Sequence, residues 1–111
     1  MRAVTRIIFV DENGDKFFGE GPARLLHLIE ETGSLNAAAS SMGMAYTKAL
    51  KLLNNAEKNL GFPLTVRAVG GKAGGGSTLT SEGEVWLKKY EDYRDACLKT
   101  NSKLYEEFFG E

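Results

Sequence analysis

Apolar positions along this chain recur with three spacings, and each spacing predicts a different element. Over residues 3–10 the β-branched and aromatic side chains Val4, Thr5, Ile7, Ile8, Phe9 and Val10 predict a strand. Asn13-Gly14 supplies the positive-φ residues of a hairpin turn, and Lys16-Phe17-Phe18 the short return strand. Two strands are marginal in water, so this hairpin must pack on something else. Gly21-Pro22 opens a helix, because a proline in the first turn forfeits no hydrogen bond. Leu25, Leu26, Leu28 and Ile29 form its buried stripe, and Gly33 ends it. The next stretch, GSLNAAASSMGMAYTKALKLL, predicts two helices, roughly 35–41 and 45–59, with Ser34 as cap and Gly43 as tight turn. Ala38, Met42, Met44, Ala49 and Leu52 fall where two steeply crossing helices bury them, and the small Ala39 allows a close approach. On the second helix Ala49, Leu52, Leu53 and Ala56 point inward.

Gly61 ends that helix and Phe62-Pro63 begins an extended segment. Residues 64–69 alternate Leu64, Val66 and Ala68 against Thr65, Arg67 and Val69, a half-buried strand with Arg67 on its outer face. Ser77-Thr78-Leu79 is the return strand. Between them GGKAGGG carries five glycines around Lys72, a composition that excludes core and helix and leaves a hairpin tip. The last helix starts at Thr80-Ser81-Glu82-Gly83-Glu84, with Ser81 and Glu84 spaced as a capping box. Trp86, Tyr90, Tyr93, Cys97, Thr100, Leu104 and Phe108 then recur by steps of three and four, the seam of a coiled coil running to about Phe109. Such an aromatic stripe on a lone helix is an exposed patch, and a second chain covers it most simply. Trp86, Tyr90, Tyr93, Cys97, Leu104 and Phe108 are therefore the expected dimer contacts. A helix folded back onto the first hairpin is the competing arrangement.

Together these elements predict an α+β chain, mainly α: a winged helix-turn-helix with an N-terminal β-hairpin and a long C-terminal dimerisation helix. With 111 residues it reads as one domain, 1–111: hairpin 1–19, helices 20–60, wing 63–80 and dimerisation helix 81–109. Composition changes this picture little: 42% hydrophobic and 26% charged residues describe an ordinary soluble protein. No apolar run approaches the roughly 20 residues of a membrane span, and Met1-Arg2 leads into no signal-peptide core, so a cytoplasmic location is expected. One cysteine, Cys97, and one histidine, His27, exclude a disulfide framework and disfavour zinc. His27 lies one residue off the apolar stripe of its helix and reads as partly exposed surface.

Charge does change it. The net value of −1 argues against a polyanionic partner, yet its distribution is uneven. Residues 45–80 hold five basic side chains and only Glu57, a local +4, between flanks of −2 and −3. In a helix-turn-helix the N-terminal end of the second helix enters the major groove. Ala45, Tyr46, Thr47, Lys48 and Lys51 occupy that end and its outer face, with Ser34 at the start of the preceding helix. Tyr46 and Thr47 suit bases or phosphates, Lys48 and Lys51 phosphates. Arg67 and Lys72 would reach in from the wing. Leu50 fits either a thymine methyl or internal packing. The glycine loop is not a nucleotide cradle, because Ala73 stands where a P-loop needs Ser or Thr. No acid–base pair, nucleophile dyad or metal cluster is present, so an enzyme, a cofactor and a bound metal are not expected.

In this order the elements resemble the N-terminal DNA-binding domain of the molybdate-responsive ModE regulators, winged relatives of the LysR-type domain. The residues that carry the resemblance are Gly33-Ser34-Leu35-Asn36-Ala37-Ala38-Ala39, then Met42-Gly43-Met44-Ala45-Tyr46, and the glycine loop 70–76 running into Leu79-Thr80-Ser81-Glu82-Gly83. The resemblance implies a homodimeric transcription regulator bound to double-stranded DNA. Its recognition helix would begin at Ala45, Lys72 would tip its wing, and its last helix, with or without the first hairpin, would dimerise. Full-length members carry oxyanion-binding domains after that helix, and the sequence stops at Glu111. A stand-alone DNA-binding member and a fragment are both compatible with this, and no residue present supports an oxyanion effector. An adaptor that dimerises through its winged-helix scaffold without binding DNA is the alternative.

Overall fold

The computed structural model describes residues 1–68 and 76–110. Its elements follow the chain as β1 (Phe9–Val10), β2 (Lys16–Phe18), α1 (Glu20–Thr32), α2 (Leu35–Ser41), α3 (Tyr46–Leu60), β3 (Thr65–Ala68), β4 (Gly76–Leu79) and α4 (Ser81–Phe109). The strands form two separate antiparallel pairs, β1 with β2 and β3 with β4. The predicted α+β, mainly helical architecture is thus the one observed.

Local chemistry explains where the helices stop and start. Gly33 ends α1 in the left-handed region at φ 72°, where its N–H closes on the Ile29 carbonyl. Ser34 then caps α2, its hydroxyl accepting from the Ala37 N–H at 3.1 Å. Gly43 turns the chain at φ 64°, and the Met44 N–H returns to the Ala39 carbonyl at 2.9 Å. Ala38, Ala39, Ala49 and Ala56 are buried where α2 and α3 meet the core, so the small-residue pattern is a packing pattern. Met42, Met44 and Leu52 are half-buried at its margin. Phe18, Leu25, Leu26, Ile29, Leu64 and Tyr90 are the largest fully enclosed side chains.

Three sequence expectations are corrected. The strand predicted over residues 3–10 shrinks to Phe9–Val10, although burial still alternates, with Thr5, Ile7 and Phe9 inward and Val4, Ile8 and Val10 outward. The reason is that β2 ends at Phe18, already paired with Phe9, and α1 begins at Glu20, so residues 3–8 have no strand to pair with among the described residues, and side chains of α4 bond backbone carbonyls there instead. Tyr90 donates to Ile7 at 2.9 Å, Asn101 to Ala3 at 3.3 Å and Tyr105 to Met1 at 2.8 Å. The N-terminal segment is therefore an extended strap along α4. In the wing, Leu64 is fully buried but precedes the strand, and Val66 faces outward beside Thr78 with 53% of its surface exposed. Glu57 shapes that corner, its carboxylate accepting from the Leu64 N–H at 2.7 Å.

The cap of α4 is the third correction. Thr80, not Ser81, caps it, accepting from the Gly83 N–H at 2.9 Å and donating to the Pro63 carbonyl at 2.6 Å. The Thr80 N–H donates to the Leu64 carbonyl at 3.0 Å. Gly83 sits over the same carbonyl, where a Cβ would collide with it. The end of the wing and the start of α4 are thus one knot.

Candidate nucleic-acid interface

The chain turns at Gly43 and enters α3 with Ala45 as an extended, exposed N-cap. Ala49, Leu53 and Ala56 anchor one side of α3 in the core, which fixes the opposite side toward solvent. Thr47, Lys48 and Lys51 are exposed on its outer face and Tyr46 at its N-terminal end, as the sequence predicts. Asn54, Asn55 and Lys58 extend the same polar surface. Asn54, three residues beyond Lys51 and seven beyond Thr47, was not among the sequence candidates. Its amide is of the type that pairs with adenine, and its spacing from Thr47 was the available signal. Glu57, the sole acid of α3, is engaged with the backbone of Leu64 and Thr65. The first three turns of α3 therefore present positive and neutral groups only.

The wing is braced against the start of this helix and against the junction between α1 and α2. Arg67 on β3 donates to the Tyr46 hydroxyl at 3.4 Å, and the Ser77 N–H on β4 donates to the Gly33 carbonyl at 2.7 Å. Ser34, Leu35, Asn36, Tyr46, Arg67 and Ser77 line an open cleft of about 400 Å³ between the wing, the start of α2 and the start of α3. Ser34, Tyr46 and Arg67 are thereby brought together. The Ser34 hydroxyl accepts the Ala37 N–H and still carries a proton of its own to donate. Asn36 and Ser77 were not among the sequence candidates. Lys72 lies outside the described residues.

The expected dimer contacts divide into two groups. Tyr90 is corrected: it is 1% exposed within its own protomer, against Phe18 at 5.0 Å and Phe9 at 6.0 Å between ring centroids. Its hydroxyl lies between the Ile7 carbonyl at 2.9 Å and Glu20 at 3.0 Å. Burial pushes the Tyr90 phenol up to about 12, and the hydrogen bond and charge of Glu20 add to this. Trp86 is half-buried edge-on to Phe9 and Phe18. The hairpin thus covers the near half of the stripe, as in the folded-back arrangement. Beyond it Cys97 is half-buried, while Tyr93, Leu104 and Phe108 are 54%, 48% and 75% exposed. Phe109, also exposed, extends this apolar end and was missed because it lies off the heptad.

His27 is partly exposed as expected, but it also joins α1 to α4: its Nε2 lies 2.8 Å from Glu91. Arg94 adds a second link, 3.1 Å from Glu20. Among the described residues no cluster of His, Cys, Asp and Glu could hold a metal ion, and no helix is long and apolar enough to cross a membrane.

Comparison with known proteins places this geometry. Residues 23–84, from α1 into the first turn of α4, match the family described as bacterial regulatory helix-turn-helix protein, lysR family. The molybdenum-pterin-binding protein MopB of Rhodobacter capsulatus is 36% identical over 85 residues, 77% of this chain and 31% of that protein. The molybdenum transport protein ModE of Azotobacter vinelandii is 33% identical over 87 residues, 75% of this chain and 32% of that protein. The DNA-binding transcriptional dual regulator ModE of Escherichia coli K12 is 34% identical over 67 residues, 60% of this chain and 26% of that protein. The chain spans about a third of the length of the first two relatives. The fold is shared with the crystal structure of the CbnR_DBD-DNA complex, at TM-score 0.58 and 18% identity over 75% of this chain and 90% of that one.

Proposed function

The chain belongs to the lysR family of bacterial regulatory helix-turn-helix proteins, and we propose that it is a sequence-specific DNA-binding transcription regulator acting as a homodimer on a palindromic operator. The observation that carries this is the free face of α3: Tyr46, Thr47, Lys48 and Lys51 are exposed on a helix whose one acid is turned away. Thr47 and Asn54 read base edges in the major groove. Lys48 and Lys51 bind phosphates, and Arg67 and Lys72 extend the positive surface from the wing. Ser34 and Tyr46 donate to the backbone beside the cleft. Two protomers join through the distal part of α4, where Tyr93, Leu104 and Phe108 expose apolar surface that a second copy would cover. A two-fold pair then presents its recognition helices to successive major grooves about 34–36 Å apart. The similarity to MopB and ModE supports a place among molybdenum-related regulators, with no oxyanion site assigned to the described residues.

Selection of bound DNA from a random duplex pool, with and without molybdate or tungstate, tests this reading. A recovered palindrome, retained less as salt rises, is expected. No retention at any salt would overturn DNA binding and leave the exposed aromatic end of α4 as the contact surface of a protein-interaction adaptor.

A further inference from the structure

One residue at the edge of the outer side of α3 is explained by neither phosphate contacts nor hydrogen bonds to bases. Leu50 is 37% exposed, four positions after Tyr46, three after Thr47 and four before Asn54. Residues at these spacings lie on adjoining strips of one helix surface. The inward strip is filled by Ala49, Leu53 and Ala56, and Leu50 at its margin is covered over most of its surface yet leaves more than a third open to solvent. Lys48 and Lys51 suit the phosphate backbone, whereas a leucine side chain can neither accept nor donate a hydrogen bond.

We propose that Leu50 is a specificity-determining residue that packs on the C5-methyl group of a thymine in each half-site. The inference rests on the reading of α3 as the recognition helix. A major groove offers hydrogen-bonding atoms at every base pair but one kind of apolar projection on unmodified DNA, the thymine methyl. An exposed leucine brought into that groove loses water without gaining a hydrogen bond. Its favourable site is therefore beside that methyl, and opposite a cytosine it meets the N4 amino group and leaves it unpaired. Thr47 and Asn54, one helical turn to either side, contact the flanking base pairs by hydrogen bonding. Leu50 thus supplies a thymine preference that neither lysine can supply.

The test uses the whole chain and the duplex recovered by selection. Deoxyuridine is substituted for thymidine one position at a time, which removes the methyl and keeps every hydrogen-bonding atom. Affinity is measured for the native chain, Leu50→Ala and Leu50→Met, with circular dichroism melts confirming that each variant folds. At one or two thymines per half-site the native chain should bind about four-fold more weakly to the uridine duplex, the effect of one buried methyl group. Leu50→Ala should bind the two duplexes equally, and Leu50→Met should keep most of the discrimination. Tight binding by the native chain with no response to uridine at any position, or an undiminished response in Leu50→Ala, would overturn the role of Leu50 and leave DNA reading by α3 intact. Failure to retain any duplex would overturn the reading of α3 itself.

Discussion

Tyr90 joins three parts of the chain through one hydroxyl, which lies within hydrogen-bonding distance of the Ile7 carbonyl and Glu20. Its phenol, ordinarily near 10.0, is pushed up to about 12, so the folded chain holds this proton to higher pH than the unfolded chain does. The stabilisation is fully present below pH 10 and is lost as pH rises through about 12. Urea unfolding across that range should show falling stability for the native chain and a flatter profile for Tyr90→Phe. The same variant should cost about 1–2 kcal/mol near neutral pH, through the unsatisfied Ile7 carbonyl. Gly83 is constrained by space, since a Cβ there would run into the Leu64 carbonyl. Gly83→Ala should destabilise by about 3 kcal/mol, read as a lower urea midpoint, although alanine favours an isolated helix. From the sequence, Gly83 is visible as part of a motif but its reason is not. The reason depends on a backbone nineteen residues earlier in the chain, which local spacing does not encode. Tyr90 was misread for a related cause, because its heptad position is shared by an internal face and a dimer face.

Among the elements, α1, α2 and α3 were legible because their boundaries are local chemistry. Gly33 and Gly61 adopt the left-handed conformation and Ser34 accepts its own helix's N–H. The first strand was not, because its partner β2 ends where α1 begins, and the carbonyls of residues 1, 3 and 7 bond instead to α4 side chains 83 to 104 residues away. Function divides along α3 in the same local way. Lys51→Ala should weaken binding to all duplexes alike and reduce the salt slope by about one. A Thr47→Ala change should instead redistribute base preference at one position per half-site, read by repeating the selection. The Arg67 contact to Tyr46 makes the wing and the helix a joint surface, which neither segment announces by itself.

At the scale of the molecule, the chain measures 59 × 29 × 25 Å, elongated by an α4 of 29 residues. Its distal apolar surface is where a second copy is expected. Replacing Leu104 and Phe108 together by lysine should leave the helical content unchanged and convert a dimer to a monomer, as measured by light scattering at micromolar concentration. A native chain that is already monomeric there would remove the dimeric part of the proposal. Half-site binding should survive in that variant while affinity for the palindrome drops, because the two contacts are no longer linked.

The attachment of α4 to its own body sets one more property. Tyr90 is held at Ile7 and Glu20, Arg94 at Glu20 and His27 at Glu91, so the helix leaves the domain without a hinge. In the proposed dimer a pair of such bodies would act as a rigid caliper. One inserted base pair moves a half-site along the duplex by about 3.4 Å and turns it by roughly 35°, the step of one base pair in a 10–10.5-base-pair turn. A jointed protein absorbs that change, and this one should not. In a gel-shift series of operators with altered spacers, affinity should collapse at the first insertion and return partly with a full helical turn only if the DNA bends to meet the caliper. The proposed dimer would thus measure the phase of the double helix as well as its letters.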